Sequence, residues 1–148
     1  IHLFGKLGDH DLEYRLSPSQ RSTDELLRYI ATCAIAPIVS MRAGDWKLYD
    51  EAEERIAARP MTDFVALMEE QAEALRQVFA EMTDEELDTK IVKAPGVRDM
   101  LTLREAVMRT SYAWLVAYRM QFFLHLKASG ITDLGTSNNW AGVDRRRE

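Results

Sequence analysis

The stretch Tyr112-Ala-Trp-Leu-Val-Ala-Tyr-Arg-Met-Gln-Phe-Phe-Leu-His-Leu126 decides how this chain folds. Twelve of its fifteen residues are apolar or aromatic, and the exceptions are Arg119, Gln121 and His125. It contains neither Gly nor Pro, so it reads as a long helix. Its apolar residues exceed what one face buries, which implies cover on several sides. At about 100° per residue, Leu103, Val107, Thr110, Trp114, Tyr118, Gln121 and His125 lie within about 80° of one another. That stripe passes from aliphatic to aromatic to polar toward the C-terminal end.

The flanking residues punctuate the helix. Thr102-Leu-Arg-Glu105 is a capping box at its start, and Ser129-Gly130 closes it. A second box, Ser22-Thr-Asp-Glu25, opens a helix to about Ala43, stopped by Gly44, with a kink expected at Pro37. Its inner stripe is Leu26, Tyr29, Cys33, Ala36 and Ser40. Trp46 to Arg59 reads as a short surface helix. Thr62-Asp63 is expected to cap an amphipathic helix to Met82, built on Phe64, Leu67, Met68, Gln71, Leu75, Val78 and Phe79. Thr83-Asp-Glu-Glu86 caps one or two further turns, and Ala94-Pro-Gly96 marks a loop. No strand is expected. Residues 131–148 read as an irregular tail that Trp140 and Val143 pin to the body.

The chain is 148 residues long, the size of one domain, with 47% hydrophobic and 29% charged residues. A domain of this size buries enough surface to hold a core without disulfides. The single cysteine, Cys33, excludes an internal disulfide and fits a reducing, cytoplasmic setting. A net charge of −5 argues against a general nucleic-acid partner. Arg145-Arg-Arg147 is the one basic run and reads as a solvated tail. No apolar stretch is long enough to span a membrane. No Ser–His–Asp spacing, CxxC pair or phosphate-binding glycine loop is present.

Gly8-Asp-His-Asp-Leu-Glu-Tyr-Arg-Leu16 echoes Thr83-Asp-Glu-Glu-Leu-Asp-Thr-Lys-Ile91. Each is followed by a proline-containing loop, a capping box and a long apolar helix. Two such halves would pack as a pseudo-twofold four-helix bundle. The echo also implies a helix ahead of Gly8, so most of a first helix is expected upstream of Ile1.

The run Leu12-Glu-Tyr-Arg-Leu-Ser-Pro-Ser-Gln-Arg-Ser-Thr-Asp-Glu-Leu-Leu-Arg-Tyr-Ile30 resembles the entry into the second helix of the DinB-like superfamily. Tyr118-Arg-Met-Gln121 followed by Leu126-Lys-Ala-Ser-Gly130 is similar to that family's last-helix signature, His-x-x-x-His-Arg-x-Gln with a closing glycine. The likeness spans most of residues 8–130. It implies an all-α antiparallel four-helix bundle, dimeric in many members, with a short extra helix between the second and third long helices. It also implies a three-histidine divalent-metal site, and in some relatives transferase or isomerase chemistry on small thiols. Here the ligand positions fall at Tyr29, Trp114 and Tyr118, all aromatic. An indole offers only an N–H, and a phenol binds zinc only as a costly phenolate. The inherited metal site is therefore expected to be degenerate, with no cofactor. Zinc or nickel enters only as the alternative, at a displaced site built on His125 and Cys33 with either Gln121 or a carboxylate.

Tyr29, Cys33, Trp114, Tyr118, Gln121 and His125 are the candidate pocket residues. Rings with one polar tip each suit a small apolar or aromatic ligand, and they also serve simply to fill space. Cys33 has no cation beside it in sequence to activate it and reads as an inert buried thiol. His125 lies about 10 Å along the axis from Tyr118 and, near a helix C-terminus, is expected to favour an imidazolium. His10 sits in a charged turn. The functional expectation is a homodimeric ligand-binding or interaction module without catalysis. The alternative is a metal-dependent thiol-transferase or hydrolase using a displaced site.

Overall fold

The computed structural model describes residues 1–8 and 12–144. At the Ser22–Glu25 box, Ser22 Oγ accepts the Glu25 N–H at 3.2 Å, and a Glu25 carboxylate oxygen accepts the Ser22 N–H at 2.8 Å. Two of the donors a helix start leaves unpaired are thereby satisfied, and α1 (Thr23–Thr32) follows. The break expected at Pro37 falls earlier. Helix α1 stops at Thr32, α2 spans Ile35–Ala43, and the two axes bend by 43°. Pro37 sits in the first turn of α2, where a missing N–H costs nothing. Its ring and absent donor act on the carbonyl four residues back, at Cys33, and the helix parts there.

Helix α2 ends at Gly44, whose φ of +71° is the left-handed geometry that favours glycine. The surface helix α3 (Lys47–Ala57) buries Ile56 against the body. Helix α4 (Phe64–Glu81) is entered through a 3-10 turn, Met61–Asp63, and not through a Thr62–Asp63 side-chain cap. The Asp63 carboxylate is instead turned to Arg59, whose Nε donates to it at 2.9 Å. A Thr83 cap, its Oγ accepting the Glu86 N–H at 3.0 Å, starts α5 (Asp84–Thr89).

An antiparallel hairpin then appears where no strand was expected. β1 (Ile91–Lys93) pairs with β2 (Met100–Thr102), with Val92 opposite Leu101 and both facing the core. Strands of three residues are too short to show alternation in sequence. Pro95-Gly96 makes the turn after β1, with Gly96 at φ +71° and Val97 donating to the Ala94 carbonyl.

The long final helix is three pieces. The Thr102–Glu105 box opens α6 (Leu103–Val107), a π-helical turn covers Met108–Tyr112, and α7 runs Ala113–Ala128. It closes at Gly130, with Ile131 N–H on the Leu126 carbonyl. The tail is not wholly irregular, since Thr136–Trp140 forms α8. Nor do Trp140 and Val143 pin it, being 57% and 50% exposed; the buried tail residues are Leu134, Asn138 and Asn139. His10 and the run Arg145–Arg147 lie outside the described residues.

The molecule is mostly helical with this one small sheet. The bent α1–α2 unit is central, with α3, α4 and the α6–α7 helix around it. One core gathers around Leu26, Leu27, Ile30, Phe64, Leu67, Phe122 and Leu126, a second around Ile38, Met41, Val78, Val92, Leu101 and Leu103. The echo holds in part. Residues 84–89 are helical, whereas Leu12–Leu16 are not. Yet both boxed helices tie their first residue to the preceding segment, Thr23 N–H to Tyr14 and Leu103 N–H to Lys90. Among the described residues no single helix is long and apolar enough to cross a membrane.

Candidate functional site

Helices α1 and α7 bring Tyr29, Trp114 and Tyr118 together. The Tyr29 and Tyr118 rings meet edge to face at 4.6 Å between centres, and Tyr29 lies 6.4 Å from Trp114. These distances are in the range where aromatic pairs attract beyond simple burial. Arg21, just ahead of the capping box, lays its guanidinium 4.4 Å from the centre of the Tyr29 ring and 5.5 Å from that of Tyr118. Cation–π attraction thus closes one side of the cluster.

The other side opens on a cleft of about 500 Å³. Tyr29 and Trp114 form its floor, and Trp46 and Tyr49 form one wall, with ring centres 6.1 Å apart. The Ala94–Val97 turn also lines it, held by Lys93 Nζ, which donates to the carbonyls of Val97 (2.7 Å) and Arg98 (2.5 Å). Trp46, Tyr49, Arg21 and the turn were not singled out from sequence as site residues. The Pro95-Gly96 pair was the available signal, but only the unforeseen hairpin brings it against α1.

The polar tips are muted. Burial, and then the neighbouring Tyr118, push the Tyr29 phenol up to about 12. Burial likewise raises Tyr49, whose hydroxyl interacts with Tyr29 and the Glu53 carboxylate. Cys33 is wholly buried, its Sγ directed to the Ile30 carbonyl at 3.7 Å, and burial pushes its thiol up to about 12. It lies beneath the cluster and does not line the cleft.

The polar end of the stripe lies elsewhere. Gln121 is half-buried on α7 and takes no part in the ring cluster. His125 is 1% exposed, its Nδ1 3.4 Å from Thr23 Oγ1 and its ring edge-on to Tyr14 at 6.0 Å. Burial lowers its pKa, so the imidazolium expected from the helix terminus is a correction: desolvation outweighs the dipole. Cys33 and His125 therefore belong to separate environments. Among the described residues no three His, Cys, Asp or Glu side chains converge as a metal would require. The rings at 29, 114 and 118 do not fit a metal either, since an indole cannot coordinate through its N–H and a phenol held near 12 resists ionisation.

A scan against protein-family models finds no match to this chain, and a search of curated proteins finds no relative.

Proposed function

We propose that this protein is a DinB-like helical bundle whose ancestral metal-ligand positions now carry aromatic side chains. In this reading it is a non-catalytic module that binds a small apolar or aromatic ligand in the cleft over Tyr29 and Trp114. The observation that carries it is the meeting of Tyr29, Trp114 and Tyr118, which lie on two different helices and belong to one cluster. Three ligand positions of one ancestral site would have to converge, and the closeness of these three side chains supports the reading. A cleft walled by Trp46 and Tyr49 then offers rings and an apolar turn to a flat ligand. The proposal includes a homodimer in the cytoplasm, supported by apolar side chains left exposed along the last helix (Met108, Tyr112 and Leu124) and by the single reduced thiol.

Tryptophan fluorescence titrated with 2-naphthol tests the cleft. Quenching that saturates, and that weakens in Trp114→Ala and Trp46→Ala, is the expected result. Binding unchanged in both variants removes the reading. Metal analysis of protein purified without a histidine tag tests the rest: a stoichiometric transition metal would move the protein to the metal-dependent transferase or hydrolase class.

A further inference from the structure

A second cleft, of about 470 Å³, lies on the opposite flank of α7 from Trp114. Its walls are apolar, formed chiefly by Phe4, Phe64, Met68, Leu115 and Phe122, and α8 closes one end. Its volume falls within the range of small-molecule sites.

One permanently cationic side chain stands among the described residues that line this cleft. Arg119 is half-buried, its Nε is fully out of solvent without a hydrogen-bond partner, and its guanidinium faces the Trp140 ring at 5.3 Å. The other half-buried arginines among the described residues are all paired: Arg28 with Asp24, Arg42 with Glu81 and Glu86, Arg59 with Asp63 and Glu70. Arg119 has no carboxylate partner among the described residues. Removing an arginine from water without a counter-ion is costly, and a charge-assisted bond to an oxyanion offsets that cost best. In the same wall Asn139 is 3% exposed, with its side-chain carbonyl unpartnered. Its amide is directed to Met120 Sδ at 3.7 Å, which fixes the side chain.

We infer that this cleft binds an amphipathic carboxylate, with the oxyanion on Arg119 and the apolar body against Phe64, Leu115 and Phe122. The Trp140 ring, 5.3 Å from the guanidinium, sits where its fluorescence reports occupancy. The cleft is separate from the one over Tyr29, so the two readings stand or fall independently.

Calorimetric titration with decanoate, 4-phenylbutanoate and decan-1-ol tests the inference and separates alkyl from aryl acids. At least one acid is expected to bind roughly tenfold or more tightly than the alcohol, the size of one charge-assisted hydrogen bond. Arg119→Gln should abolish that preference while Arg119→Lys keeps part of it, and Trp114→Ala should leave it intact. Should Arg119→Gln fold poorly, Asn139→Asp supplies an internal carboxylate to the cleft and is expected to weaken acid binding to a similar degree. Equal affinity for acid and alcohol in the unaltered protein overturns the inference. So does failure of both acids to bind, whether the cleft stays open or hydrogen exchange shows it covered by another copy of the chain.

Discussion

Gln71 Oε1 accepts the backbone N–H of Ala34 at 3.2 Å, across 37 positions of sequence and inside the core. The same oxygen takes the Ile35 N–H at 3.3 Å, and Gln71 Nε2 donates to the Ile30 carbonyl at 3.1 Å. One side chain from α4 thus repairs the break between α1 and α2 on both sides, giving a carbonyl and two N–H groups the partners that the bend removed. Replacing Gln71 with Leu should cost about 2–4 kcal/mol, because three buried backbone groups lose their partner at once. Urea unfolding monitored by circular dichroism measures it. A loss below about 0.5 kcal/mol would mean that water or a shift of α4 takes over the role.

Placing histidine at positions 29, 114 and 118 together is the direct test of the DinB-like reading. Because the present rings already meet, the triple variant is expected to bind one cobalt or zinc ion per chain. Cobalt titration with visible spectroscopy reports a tetrahedral or five-coordinate site. A variant that folds and takes up no metal would separate this chain's geometry from the family's.

Cys33 should resist alkylation in the folded protein. Its thiol is buried, and with a pKa pushed up to about 12 it carries almost no thiolate at pH 8. Iodoacetamide labelling followed by intact mass is expected to show no adduct until denaturant is added. Rapid labelling without denaturant would indicate frequent opening at the α1–α2 break.

His125 gives the fold a defined acid sensitivity. Its folded pKa lies below the ordinary 6.5, so the unfolded chain takes up this proton more readily. The neutral form's contribution to stability is present above about pH 6.5 and is lost as pH falls below it. His125→Gln, which can keep the bond to Thr23, should flatten the stability profile below about pH 6.5. Thermal melts across that window check it. An unchanged slope would assign the acid sensitivity to other groups.

Much of this architecture was readable because it rests on short-range chemistry. The boxes at Ser22 and Thr102 and the stop at Gly44 each involve residues within one turn of one another, and each appears as read. What sequence missed depends on distance. Asp63 turns to Arg59 instead of capping, and the hairpin strands are too short to show a period. Gln71, which reads as one more residue on a buried face, is a clip only because α1 happens to break opposite it. The site divides in the same way. Tyr29, Trp114 and Tyr118 share one stripe pair and do meet, but Gln121 and His125 diverge from them, and Trp46 and Tyr49 enter from a helix that read as plain surface.

The π-helical turn at Met108–Tyr112 has a consequence for how such a chain varies. A wide turn of this kind absorbs about one extra residue, or about 100° of screw, without breaking the rod. Upstream of it the angular phase belongs to Leu103 and Ala106, and downstream to Tyr118, Phe122 and Leu126. Losing a single residue there would re-index α7 against α1, turning Trp114 and Tyr118 off Tyr29 and offering their neighbours instead. In this helix a one-residue deletion would change the lining of both clefts together, as no single side-chain replacement would.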